Sequence, residues 1–349
     1  MKQLKTELTL EEIEHRDRLR VLYCSVFVCT VFVWVLRFAL GGLAGLAAPH
    51  ISNYYLKTAL ILLADGVSIV LPFALYQKLR RDPFRPIFSE QPRSEHPSLR
   101  CVIGILSAFC LAVCGMAVTD FGLAFLENQG VHSAITLPDF GVNMAQNLYY
   151  VVLSTLIYSF SYEFSFRGIA MSAMRGENRA TAVVISALAF AFVDGEPHHI
   201  IVRLAVGFVL ALFYLRVRSL WAVVAVHAAV QVGICVWWLR PLQENSYIEH
   251  FLLLIGLVLG IGSAAFLFFP RREPDAQTTK NRVSFSVFLR SFGIWLVLGL
   301  VAFNMLSFTF YMEPAPDLET PEHGRQDPLF NDPTDRAENI PNYKDGFMD

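Results

Sequence analysis

The chain has 349 residues, 54% of them hydrophobic and only 17% charged, with a formal net charge of −2 and a mean hydropathy of +0.46. A soluble domain carries roughly a quarter charged residues, so this chain lacks the polar surface to cover itself in water. The small net charge and the lack of a basic stripe with interleaved aromatics argue against a nucleic-acid partner.

Residues 5–20 are strongly charged and carry a capping-box pattern, Thr9-x-x-Glu12. They are predicted to form an amphipathic helix on the cytoplasmic surface, as a segment 1–20 separate from the bundle. The apolar run that follows is long enough to span, so it reads as a retained helix and not as a signal peptide. Further apolar stretches place predicted spans at 21–48, 57–77, 101–126, 146–174, 180–194, 200–217, 219–239, 248–269 and 284–311. With no water to satisfy backbone groups in lipid, these must be helices. The fold class is therefore all-α, a polytopic transmembrane helix bundle of about nine spanning helices over 21–311. Lys and Arg alternate between rich and poor across successive loops: six fall in 78–100 and none in 127–145. That alternation puts the N-terminus in the cytoplasm. In a bacterial cell the membrane would be the inner one. Residues 312–349 hold ten acidic residues, three basic residues and six prolines, and read as a disordered acidic tail on the outer face. The six cysteines lie in or beside apolar runs without a C-x-x-C pair, and read as small buried hydrophobes.

A charge at membrane depth costs at least about 2.5–3.5 kcal/mol on insertion scales, so each one needs a reason. Arg203 and Arg290 sit near helix ends and are expected to snorkel to the headgroups. Asp120 lies near an outer helix end, in reach of water. Arg37 and Asp65 reach comparable depths and are expected to form a structural ion pair, with a transport pathway as the alternative. The fourth, fifth and seventh spans carry a different cluster. Glu163 and Arg167 are i and i+4, hence neighbours on one helix face, and His227 and Gln231 repeat that spacing. Counted from the nearest cytoplasmic arginines at about 1.5 Å per residue, these four residues and Asp194 lie roughly 12–23 Å deep, in one layer. A carboxylate tuned by burial and a guanidinium suits a general base. An imidazole with an amide one turn away can donate to a developing oxyanion. These parts fit hydrolysis of a carbonyl compound by activated water. The competing reading is an interhelical hydrogen-bond network that glues the bundle.

Over residues 145–235 the chain resembles the CAAX protease and bacteriocin-processing (CPBP or Abi) family of intramembrane endopeptidases. The likeness rests on Tyr162-Glu163-x-x-x-Arg167-Gly168, Phe190-x-x-x-Asp194 and His227-x-x-x-Gln231, with Leu215-Arg216-Val217-Arg218-Ser219-Leu220-Trp221-Ala222 leading into the third motif. The family patterns are Glu-Glu-x-x-x-Arg, Phe-x-x-x-His and His-x-x-x-Asn. The resemblance implies a catalytic set of Tyr162, Glu163, Arg167, Asp194, His227 and Gln231, acting on membrane-associated or lipidated peptides. It also implies that Tyr162 and Asp194 replace the family's water-activating Glu and His. Glu163 and Asp194 sharing a proton, or His198 swinging in, would restore that function. No cofactor is expected, although Glu163, Asp194 and His227 are ligand types for a divalent metal. Three readings stay open: an endopeptidase with a divergent site, a non-catalytic relative binding a membrane partner or peptide, and a small-solute transporter using Arg37, Asp65 and Asp120. Membrane lipids are partners in all three.

Overall fold

The structure, a computed structural model, describes residues 10–84, 87–88, 97–129, 131–133, 143–174, 179–193, 199–239, 287–304 and 310–312. The span expected at 248–269, the cap at Thr9, and Asp194 and His198 lie outside the described residues. The chain divides into two units, 1–311 and 312–349. Of the second, only Met312 is described.

The first unit is helical. Its helices are α1 (Leu10–Ala47), α2 (Tyr54–Leu79), α3 (Pro97–Glu127), α4 (Met144–Glu163), α5 (Arg179–Phe192), α6 (Ile200–Val217), α7 (Leu220–Leu239) and α8 (Phe292–Asn304). A π-helical segment, Phe164–Met171, continues α4 directly. Two three-residue strands, Val131–Ser133 and Phe310–Met312, are the other extended elements described. Among the described residues, 5 helices are long and apolar enough to cross a membrane: Ile13–His50, Tyr54–Leu79, Ser98–Leu126, Ile200–Val217 and Leu220–Leu239. Large apolar side chains such as Phe38, Phe121 and Leu79 stand outward with most of their surface uncovered. In water such a surface would drive association; in lipid it is matched to its solvent. The protein is an integral membrane protein.

Local sequence sets several helix ends. Asn53 caps α2 by accepting from the Leu56 amide at 3.2 Å, and Asn143 caps α4 by accepting from the Gln146 amide at 2.9 Å. The separate surface helix expected over residues 5–20 takes another form. α1 runs unbroken from Leu10 to Ala47, so residues 10–20 are the first turns of the same rod, and Leu19 and Tyr23 are buried. No proline or glycine precedes Gly41 in α1 to break it.

α4 packs between α2 and α7, α5 packs on α6 and on the π-helical segment, and α3 covers α6 and α7. The core therefore centres on the last turn of α4 and the π-helix, where Phe166, Ile169, Ile185, Leu210 and Phe213 are buried. Close approach needs small residues here. A Cβ on Gly207 of α6 would meet the Ala187 Cα of α5 at 3.1 Å, and one on Gly66 of α2 would meet Ile157 Cγ2 of α4 at 2.5 Å. At about 1.5 Å per residue the 14-residue α5 covers about 21 Å, short of the roughly 30 Å hydrocarbon core. Its last residue, Phe192, and the following Val193 are buried within the bundle.

Candidate functional site

Glu163 is the last residue of α4, and the π-helix begins one residue later. π-helical turns are rare and are frequently found at functional sites. The segment carries Arg167 forward while leaving it within reach of Glu163, with Nη1 donating to Glu163 Oε1 at 3.2 Å. Both side chains are fully buried. Arg167 Nη2 donates to the Gly207 carbonyl at 2.8 Å, and its guanidinium lies over the Phe190 ring at 4.8 Å. Three helical segments thereby close on one cation, which burial otherwise penalises by several kcal/mol.

His227 of α7 completes the centre. Its Nδ1 lies 2.8 Å from Glu163 Oε1, and its Nε2 lies 3.3 Å from Gln231 Nε2. With the Gln231 amide donating, Nε2 accepts, so Nδ1 keeps its proton and donates to the carboxylate. One carboxylate oxygen thus serves both the imidazole and the guanidinium. The other, Glu163 Oε2, is buried and has no hydrogen-bond partner among the described residues, as does Arg167 Nε. A buried carboxylate oxygen left so carries a full desolvation cost unless water or a substrate group meets it.

Tyr162 stands at the first position of motif one but faces elsewhere. Its hydroxyl oxygen accepts from Arg37 Nη2 at 3.1 Å and from Arg203 Nη1 at 3.4 Å. Its ring packs edge-on against Phe190 and His227, with centroids 5.3 and 5.6 Å away. The ion pair expected between Arg37 and Asp65 is formed, with Nε to Oδ1 at 2.5 Å and Nη2 to Oδ2 at 3.1 Å. Arg203, expected to reach toward the headgroups, instead turns inward to Tyr162. Proximity to a helix end gave no sign of that, because α6 is itself packed against α5. His199 is buried at the start of α6. Asp120 is exposed and accepts from Trp237 Nε1 at 2.8 Å.

The structure therefore brings Glu163, Arg167, His227 and Gln231 into one hydrogen-bonded chain and sets Tyr162 against it through its ring. Asp194 follows Val193, the last described residue of that segment. Of the metal-ligand types expected, Glu163 and His227 touch; among the described residues no group of three or more His, Cys, Asp or Glu gathers. All six cysteines are free thiols, and three of them are buried.

Comparison with known proteins places this geometry. The model of the family described as type II CAAX prenyl endopeptidase Rce1-like matches residues 144–233, about a quarter of the chain, from the start of α4 into α7. No curated protein and no solved structure matches the chain. The matched segment holds every member of the Glu163–Arg167–His227–Gln231 chain, and over it the protein is similar to that family.

Proposed function

We propose, from the premise that residues 144–233 form an Rce1-like domain, that the protein is an intramembrane endopeptidase with a divergent site, cleaving membrane-associated or lipidated peptides. One observation carries this reading: a fully buried carboxylate, polarised by Arg167 and His227 through Oε1, keeps Oε2 without a partner among the described residues. That oxygen is suited to take a proton from water. In the proposed step the water loses a proton to Glu163 and its oxygen bonds to the scissile carbonyl carbon. The carbonyl π electrons move to oxygen, and the second N–H of the Gln231 amide donates to that oxyanion. His227 holds Glu163 and Gln231 in place through its two ring nitrogens. On collapse the C–N bond breaks, and the leaving nitrogen takes the proton back from Glu163. The residues invoked are chain residues alone, with Asp194 the second carboxylate able to share the proton. The arrangement of about nine spans with a cytoplasmic N-terminus belongs to the same proposal and puts the site within the bilayer, which in a bacterial cell would be the inner membrane.

A second reading has its own observation. Tyr162 replaces a carboxylate, and its hydroxyl is held by two guanidiniums. On that reading the chain keeps the fold to bind a membrane partner or lipidated peptide without cutting it. One experiment separates the two. Purified protein in lipid nanodiscs is given prenylated and transmembrane peptides, and both binding and turnover are followed. Turnover that is lost in Glu163→Gln and His227→Ala supports the endopeptidase. Binding without turnover, unchanged by Glu163→Gln, supports the binding module.

A further inference from the structure

Arg37 and Trp34 lie on α1, more than a hundred residues before the family-matching segment, yet both end on it. Trp34 Nε1 donates to the Phe192 carbonyl at 3.0 Å and to the Val193 carbonyl at 2.8 Å. Arg37 Nη1 donates to the same Val193 carbonyl at 3.2 Å. These carbonyls close α5, where the last turn of any helix leaves acceptors without intrahelical donors. The other donors of Arg37 go to Asp65 on α2 and to the Tyr162 hydroxyl on α4. One planar guanidinium thus joins α1, α2, α4 and the end of α5, at the residue before Asp194.

We infer that Arg37 is a positioning residue, which sets the end of α5 against Tyr162 and so fixes the second motif relative to the first. An ion pair with Asp65 alone would need only a positive charge. Holding a carboxylate, a backbone carbonyl and a phenol oxygen in three directions needs the rigid fork of guanidinium donors, which an ammonium lacks. Arg37 and Asp65 sit mid-helix, ten residues before the end of α1 and eleven after the start of α2. That is roughly 15 Å along each rod, too deep for a lipid headgroup to be the group they serve. The kinetic consequence rests on the endopeptidase reading; the geometric one is measured separately.

The test uses the full chain in nanodiscs and the variant Arg37→Lys, which keeps the charge for Asp65 and removes the fork. With a prenylated peptide, kcat falls about a hundredfold while KM stays nearly unchanged, as expected for an ångström-scale misplacement of site groups. In protein labelled with ¹⁵N at its 5 tryptophans, the Trp34 indole signal, assigned by Trp34→Phe, shifts in Arg37→Lys while the other indoles stay. Full kcat, or an unmoved Trp34 signal, overturns the inference. Loss of the fold in Arg37→Lys, seen as collapse of all the indole signals together, also overturns it, since Arg37 would then serve folding. If the wild-type chain cuts no peptide, the endopeptidase reading fails by itself, and the Trp34 signal alone decides the positioning.

Discussion

At the scale of single residues, the site is one carboxylate shared by a guanidinium and an imidazole in a buried core. Such an arrangement is stable only when complete, because removing one partner leaves an uncompensated buried charge. Arg167→Met is expected to lower the unfolding free energy by about 3–5 kcal/mol, and the double variant Arg167→Met, Glu163→Leu by much less. Chemical denaturation of both variants in detergent checks this; equal losses would show that the charges do not depend on each other. The residues of this chain were legible because Glu163–Arg167 and His227–Gln231 each repeat at i, i+4, and polar side chains are conspicuous in apolar runs. What the spacing could not show is direction. Tyr162 neighbours Glu163 in sequence, yet its hydroxyl meets Arg37 from α1 and Arg203 from α6, contacts that only tertiary packing creates.

At the scale of elements, two features position these side chains. Gly207 lets α6 approach α5 closely enough for its carbonyl to accept from Arg167. Gly207→Ala forces Ala187 and Phe190 to give way and should cost about 1–3 kcal/mol, with a fall in any turnover that exceeds the fall in stability. Comparing thermal unfolding with peptide cleavage checks the split. The tight turn from α6 to α7 rests on Arg218, at a left-handed φ of 53°, whose amide donates to the Tyr214 carbonyl at 2.7 Å. Glycine adopts that conformation without strain, so Arg218→Gly should raise stability by about 1 kcal/mol in the same unfolding measurement. The spans expected to start at 57 and 146 begin earlier, at Tyr54 and Met144, where Asn53 and Asn143 cap them. The π-helix was not legible, since an eight-residue run is too short for hydrophobic periodicity to separate it from the α-helix it continues. The continuity of α1 through residue 20 was also hidden, because charged first turns on a long rod have the composition of a separate surface helix.

At the scale of the whole molecule, composition alone established a helical membrane protein, and five helices of spanning length and composition agree with it. The Rce1-like segment supplies α4 to α7, while α1 and α2 press onto it from outside the matched region. The central claim is that Glu163 activates water inside this assembly. The most direct measurement is turnover of a prenylated peptide by purified wild-type protein and by Glu163→Gln, with peptide affinity recorded in parallel. The account predicts cleavage by the wild type, a fall of about 10²–10⁴-fold in Glu163→Gln, and retained peptide binding. Binding with no cleavage by the wild type, or cleavage that Glu163→Gln leaves intact, would contradict it.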